Sequence, residues 1–136
     1  MEAIFSGLWA LADPMLLLLI VLATLGGILV GALPGLNATN GVALLLPFTI
    51  TMEPIAAIAV LTTIYCAATF AGAITAILIN TPGTSASATT CLDGYPLAQR
   101  GEAGRALGMA AVSSTIGGII SVLCLMAAAP LLAGAA

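Results

Sequence analysis

The sequence predicts an all-α, polytopic membrane protein with about three full transmembrane helices plus one short re-entrant or half-helix. Of its 136 residues, five are acidic, two are basic and 62% are apolar. An average soluble domain is about a quarter charged, so this chain could not cover a soluble surface. No charge occurs between Asp13 and Glu53, between Glu53 and Asp93, or after Arg105. Each stretch exceeds the roughly 20 residues that cross the hydrocarbon core, which predicts a single transmembrane domain over 1–136.

The first predicted crossing is a helix over about 14–33. Asp13 suits the cap position and Pro14 the first helical position. Gly27 and Gly31 lie four residues apart, and small residues at this spacing let another helix approach closely in lipid. We therefore expect both glycines to face a second helix. The alternative is that they are tolerated without a packing role.

The start of the chain and its cysteines carry little functional information. The N-terminus lacks the basic region of a signal peptide, and Glu2 and Asp13 flank its first apolar run. We expect that run to be retained as a helix. Cys66, Cys91 and Cys124 are widely spaced, which favours free thiols and indicates neither a disulfide framework nor a metal site.

An interruption over 34–41 follows the first helix, with structural breaks at Pro34 and Gly35. Its remaining polar residues are uncharged and include Asn37, Thr39 and Asn40. The next segment, 42–50, is too short to span a bilayer and contains Pro47. A re-entrant or half-helix is therefore predicted, with an ordinary loop and a short surface helix as the alternative.

A second full helix is predicted over about 54–79, followed by a polar interruption over 80–90 that Pro82 breaks. This interruption is rich in hydroxyl groups and contains no charge. A connector in water would ordinarily include Lys, Glu or Asp. We therefore expect this backbone to lie at some depth, beside a cavity.

The remaining residues predict an aqueous loop over 91–105 and a third helix over about 106–133. Gly104 and Gly108 form a second pair at helix-packing spacing. The arginines of the loop favour its placement in the cytoplasm. The N-terminus then lies on the same side if 42–50 is re-entrant, and outside if that segment crosses.

Catalysis and nucleic-acid binding are both disfavoured. The chain has no histidine, so it offers no Ser-His or Cys-His pair and no histidine metal site. Its carboxylates lie in different segments, with no pair arranged for acid–base chemistry. A net charge of −3 is too small and scattered to indicate a nucleic-acid partner. We expect a protein that is not an enzyme.

Binding of a solute is better supported, because a broken helix exposes backbone groups. A half-helix N-terminus presents N–H groups that suit a carboxylate, and the preceding C-terminus presents carbonyls that suit a cation. Transporters place broken helices of this kind at their substrate and ion sites. The candidate substrate-binding residues are Asn37, Thr39, Asn40, Asn80, Thr81, Gly83, Thr84, Ser85 and Ser87. No cofactor is expected beyond Na⁺ or H⁺ as a coupling ion.

Two stretches resemble a known family. They are GxxxGxLPGLNATNGVALLLPFT, from Gly27 to Thr49, and AILINTPGTSASATTCLDGYPLAQRGEAGRALG, from Ala76 to Gly108. Both are similar to the large permease subunit of tripartite tricarboxylate transporters (TctA type), and they occur in the right order. The resemblance implies a multi-pass permease of the bacterial inner membrane. It also implies cation-driven uptake of citrate or another carboxylate from a periplasmic solute-binding protein, with a small membrane subunit as a further partner.

Family members are several times longer, so we expect this chain to correspond to the N-terminal part of such a permease. The alternative is a small, non-transporting membrane subunit for packing or assembly, or an inactive truncated paralogue. The two Pro-Gly interruptions favour the permease, because a pure packing module has no need of uncharged polar backbone at depth.

Overall fold

Five helices make up the part of the chain that the computed structural model describes, residues 13–133, with side chains over 13–129. They are α1 (Pro14–Ala32), α2 (Ala38–Thr49), α3 (Pro54–Ile79), α4 (Ala88–Gln99) and α5 (Ala103–Ala133). Three of them, α1, α3 and α5, are long and apolar enough to cross a membrane. The predicted all-α membrane class is confirmed. The helix expected between Glu2 and Asp13 lies outside the described residues.

Local sequence explains where α1 begins and ends. The N–H of Met15 donates to Oδ1 of Asp13 (3.2 Å), and Pro14 occupies the first turn. The helix stops at Ala32 because Leu33 is extended, which is the conformation favoured before proline. Gly35 then adopts φ +95°, a region that few other residues enter.

Two glycines bring the backbone of α1 against α3. A Cβ atom added to Gly27 would lie 2.7 Å from Cβ of Ala67 and 2.9 Å from the Ile64 carbonyl oxygen. One added to Gly31 would overlap the backbone of Ala68. The two helices therefore approach through backbone contacts that no larger residue would permit, as at other small-residue interfaces in membranes.

The same two helices run parallel. Asp13 and Glu53, at their starts, line one small pocket of about 200 Å³, so both helices begin at the same end of the molecule. After α1 the chain must come back to this end before α3 begins, and α2 leads it back. Gly41, near the start of α2, contacts Ile64, and the later residues Leu45 and Met52 pack on a cluster of Ala23, Val60 and Ile64.

The structure changes the predicted bounds of the first interruption. Helix α2 begins at Ala38 and not near 42, so Thr39 and Asn40 lie in its first turn. The non-helical stretch, here called the first break, is 33–37. Pro47 does not end α2 but lies inside it, because packing on α3 offsets the missing backbone hydrogen bond.

The predicted aqueous loop over 91–105 is wrong for most of its length. Residues 88–99 form α4, and only 100–102 separate it from α5. The turn signal around Gly94 is overridden by packing, because this glycine is buried against Ile77. A Cβ atom there would lie 2.7 Å from Cγ1 of Ile77. The second break is accordingly 80–87, shorter than the predicted 80–90.

Helices α4 and α5 complete the bundle. The start of α4 lies beside Gly72, since Oγ of Ser87 approaches it, and Gly94 lies beside Ile77. Helix α4 therefore runs alongside the last part of α3, away from the end that carries Glu53. Helix α5 then returns, and its residue Ser114 lines a cleft together with Tyr65 of α3.

The outer surface is apolar, as expected of a surface that faces lipid. Long aliphatic side chains of α1 and α5 are exposed in every turn, among them Leu17, Val21, Leu25, Leu29, Ile116, Ile119, Leu123 and Met126. Soluble monomers rarely expose continuous apolar patches of this extent. The described charged residues lie at the two ends of the bundle, so the belt between the ends fits the hydrocarbon core.

Candidate functional site

The second break begins where Asn80 ends α3. Asn80 has φ +55° and ψ +30°, a left-handed conformation that asparagine tolerates better than most residues. The N–H groups of Asn80 and Thr81 both point to the carbonyl oxygen of Thr75. This arrangement satisfies a helix-end carbonyl and reverses the chain.

The reversed chain then folds back onto α3. Gly83 lies on the backbone of Gly72, and its N–H donates to the Gly72 carbonyl oxygen at 3.5 Å. A Cβ atom on Gly83 would lie 2.8 Å from Cα of Gly72 and 3.4 Å from the Gly31 carbonyl oxygen. Gly31, Gly72 and Gly83 thus bring α1, α3 and the second break together. We call them the glycine contact.

Thr84 and Ser87 hold the rest of the second break in shape. Oγ of Ser87 accepts from the N–H of Thr84 (2.9 Å) and lies 2.9 Å from both the carbonyl and the hydroxyl oxygen of Thr84. The N–H of Ser87 donates to Oγ1 of Thr84 (3.2 Å). Ser87 is buried, with 4% of its surface exposed. Its hydroxyl is already satisfied within the protein, so it sets the geometry at the start of α4.

Asn37 plays the corresponding part in the first break. Its side-chain oxygen accepts from the N–H of Asn40 (2.9 Å), and its carbonyl accepts from the N–H of Gly41 (3.2 Å). Two further N–H groups at this helix start, those of Ala38 and Thr39, have no acceptor within the described residues. Such groups give the start of a helix a partial positive charge.

The two breaks meet at one cleft of about 400 Å³, here called the first cleft. Its lining comes from the start of α2, from the middle of α3 and from the second break. The lining residues are Asn37, Ala38, Thr39, Tyr65, Thr69, Gly83, Thr84, Ser85 and Ala86. All are uncharged, and six carry a hydroxyl or amide group.

A second cleft of about 380 Å³ adjoins the first and continues toward α5. Its lining is more apolar and includes Cys66, Phe70 and Ser114. The full lining is Tyr65, Cys66, Thr69, Phe70, Ala73, Thr84, Ala86, Ser87, Thr90 and Ser114. Four residues line both clefts: Tyr65, Thr69, Thr84 and Ala86.

Two short helices start beside these clefts and run in opposite directions. Helix α2 starts near Tyr65 and runs toward Glu53, whereas α4 starts near Gly72 and runs toward the other end of α3. At 1.5 Å per residue, Tyr65 is about 18 Å from Glu53 and Gly72 is about 10 Å from Ile79 along the helix axis. Both helix starts therefore lie away from the charged ends of the bundle.

This arrangement suits an anion. The positive ends of two helix dipoles adjoin one region, and hydroxyl and amide groups surround it. Polar backbone at membrane depth is tolerated where it is buried in protein or lines a water-filled cavity. The first cleft meets that condition for both breaks.

The structure brings together some of the sequence-predicted site residues and separates others. Five line the first cleft: Asn37, Thr39, Gly83, Thr84 and Ser85. Ser87 lines the second cleft. Asn40, Asn80 and Thr81 line neither; Asn40 lies on α2, and the other two end α3. Pro34, Gly35 and Pro82 all lie in the two breaks.

Sequence reasoning missed Tyr65 and Thr69, which line both clefts. Their spacing of four residues was a usable signal, because it places two polar side chains on one face of an apolar helix. A Cβ atom added to Gly104 or Gly108, the predicted packing pair, would meet nothing within 4 Å in the described part of the chain, so their packing role stays a prediction.

No cofactor site is evident within residues 13–133. No group of three His, Cys, Asp or Glu residues there could hold a metal ion. Cys66, Cys91 and Cys124 are free thiols. The apolar helices around Cys66 and Cys124 predict that both are buried, but both are exposed in the described structure.

The family relationship follows from comparison with known proteins. The model of the tripartite tricarboxylate transporter TctA family matches residues 17–136. An uncharacterized 52.8 kDa protein in the TAR-I ttuC' 3'region of Agrobacterium vitis is 48% identical over 110 residues. That alignment covers 81% of this chain and 22% of the relative, so the chain spans about a fifth of the relative's length. No solved structure matches the chain. A family match over nearly the whole sequence, on a fold with three candidate membrane spans, identifies this chain as a member of the tripartite tricarboxylate transporter TctA family.

Proposed function

We propose that this chain forms the N-terminal, solute-binding part of a TctA-type permease that carries citrate or a related carboxylate across the bacterial inner membrane. The solute is delivered by a periplasmic binding protein, a small membrane subunit assists, and Na⁺ or H⁺ drives uptake. The observation that carries the proposal is that the start of α2 and the second break, which leads into α4, line one uncharged, hydroxyl-rich first cleft.

The chemistry of the first cleft explains why a carboxylate would bind without a buried arginine. Hydrogen bonds from neutral donors to a charged acceptor are about twice as strong as neutral pairs. The N–H groups of Ala38 and Thr39 supply such donors, and the side chains of Thr39 and Ser85 add hydroxyl groups. A site of this kind releases its anion more readily than an ion pair would, as transport requires.

Uptake of radiolabelled citrate by the assembled transporter in proteoliposomes tests the proposal. Thr39→Ala and Ser85→Ala should each raise the half-saturating citrate concentration by roughly five- to ten-fold, since each removes about 1 kcal/mol or more of hydrogen bonding to a charged group. Ser121→Ala, on α5 and outside both clefts, is the matched control and should leave uptake unchanged. Normal citrate affinity in both cleft variants, at normal membrane levels, would remove the first cleft as the solute site.

A second candidate function is that of a non-transporting assembly subunit. The exposure of α5 favours this function. No side chain is buried over the most apolar stretch of the helix, so most of its surface is available to a partner. Under this function, substitutions on α5 would disrupt the complex, and the cleft variants would leave uptake unaffected. The citrate experiment therefore separates the two functions directly.

A further inference from the structure

Tyr65 stands out among the four residues that the two clefts share. Thr69 donates its hydroxyl to the Tyr65 carbonyl oxygen (2.7 Å), and Thr84 is engaged with Ser87. Ala86 has no polar side-chain atom. The Tyr65 phenol, in contrast, has no hydrogen-bond partner within the described residues, and 51% of the residue is exposed.

A phenol hydroxyl without a hydrogen-bond partner is unusual at this position. It lies in the middle part of α3, far from the charged ends of the bundle, and faces both clefts. A tyrosine hydroxyl in such surroundings normally finds a hydrogen-bond partner. Its O–H can donate one bond and accept others, so an anionic oxygen in either cleft would satisfy it.

Resting on the proposed function, we propose that Tyr65 is a solute-contacting, specificity-determining residue. Its hydroxyl donates to an anionic oxygen of a solute that lies across the Tyr65 side chain and reaches from the first cleft into the second. The start of α2 and the hydroxyl groups of the first cleft hold one end of the solute. The more apolar second cleft, with Phe70 and Cys66, receives the other end.

Cys66 provides a direct test, because it is an exposed thiol that lines the second cleft beside Tyr65. In membrane vesicles that carry the assembled transporter, a small maleimide should label Cys66. Labelling is quantified by mass spectrometry on the peptide that contains it. A mixture of citrate, malate and succinate should slow this labelling, and the acid responsible is then titrated. Cys91 lines neither cleft, so its labelling should not respond to these acids.

The expected result is that Tyr65→Phe raises the half-protecting concentration by roughly ten-fold or more, since a hydrogen bond to a charged group is lost. The matched control is Tyr95→Phe, at the other tyrosine of the chain, which lines neither cleft and should behave as the parent. Unchanged Cys91 labelling reports that the variant is folded.

Two results would overturn the inference. If the acids do not protect Cys66 in the parent, the solute does not reach the second cleft. If they protect the parent and Tyr65→Phe equally, the phenol does not contact the solute. Either result leaves the proposed function standing, because that function is decided separately by citrate uptake in Thr39→Ala and Ser85→Ala.

Discussion

Gly83 and Gly72 touch through their backbones: a side chain on Gly83 would place its Cβ atom 2.8 Å from Cα of Gly72. This contact anchors the second break against the middle of α3. Neither residue needs a left-handed conformation here. Gly83 must be glycine because the backbone of Gly72 lies too close for a side chain, whereas a Cβ atom on Gly72 would lie 3.3 Å from Cα of Gly83 and would need only a small shift. This is a use of glycine distinct from turn formation.

The first prediction concerns this contact. Gly83→Ala should lower the thermal unfolding temperature, because its Cβ atom would meet backbone, which cannot move aside as a flexible side chain can. The cost should be of the order of 1–3 kcal/mol, as for other overpacked sites. Circular dichroism in detergent micelles measures it. Gly108→Ala is the control, because a Cβ atom there meets nothing within 4 Å and alanine favours helix. Equal unfolding temperatures for the two variants would contradict the close approach.

The second prediction tests the α1–α3 interface. Gly31→Leu should reduce the amount of folded protein in the membrane, since its side chain would overlap the backbone of Ala68. Gly26→Leu should be tolerated, because a Cβ atom added there would meet no other helix within 4 Å. Immunoblots of detergent extracts after size-exclusion chromatography measure both. A Gly31→Leu protein that is monodisperse at parental levels would show that the two helices do not pack in this way.

The third prediction separates a structural hydroxyl from a binding one. Ser87→Ala should destabilise the protein by about 1–3 kcal/mol, because the partly buried N–H of Thr84 loses its acceptor. Ser85→Ala should leave stability unchanged and weaken citrate binding, because Ser85 is exposed to the first cleft. Denaturation of both variants measures their stability, and uptake by both variants measures their affinity for citrate. If Ser85→Ala lost stability and Ser87→Ala lost citrate affinity, Ser85 would be the structural residue and Ser87 the binding residue.

The fourth prediction concerns orientation. Because α1 and α3 run parallel, Asp13 and Glu53 lie at one end of the bundle, and the turn containing Arg100 lies at the other. Arginine-rich connections remain in the cytoplasm, so the acidic end should face the periplasm.

Single cysteines at Glu53 and Glu102 test this in spheroplasts, with the native cysteines replaced. A membrane-impermeant maleimide should label Glu53→Cys, and Glu102→Cys only after the cells are opened. Labelling of both positions from outside would contradict the placement of the two ends of the bundle on opposite sides of the membrane.

The sequence was sufficient for the fold class and for the existence of two non-helical breaks, because both depend on local signals. Charge-free stretches of spanning length predict membrane helices, and proline followed by glycine interrupts them. The same local reasoning failed at Gly94, where turn-forming residues continue as helix. The deciding interaction there is with Ile77, and contacts between distant residues are not visible in a local pattern.

The candidate site was predictable only in part for the same reason. Runs of uncharged polar residues drew attention to Asn37 and Ser85, which the structure places on one cleft. Nothing in the sequence indicated that the two breaks would meet, since this depends on α2 running back along α3. Asn80 ends α3 in a left-handed conformation, as its place after the apolar helix predicts, and its contact with a ligand stays a prediction.

The absence of formal charge around the first cleft has an electrical consequence. Under the proposed function, a di- or trivalent anion held by Thr39, Ser85 and backbone N–H groups would keep its full negative charge, because these neighbours only solvate it. Movement of that charge against an inside-negative membrane potential costs about 2.3 kcal/mol per elementary charge at 100 mV. Net inward current would then require more coupling cations than the solute has negative charges. The ionisation state of the acid would itself set the stoichiometry at which such uptake becomes electrogenic.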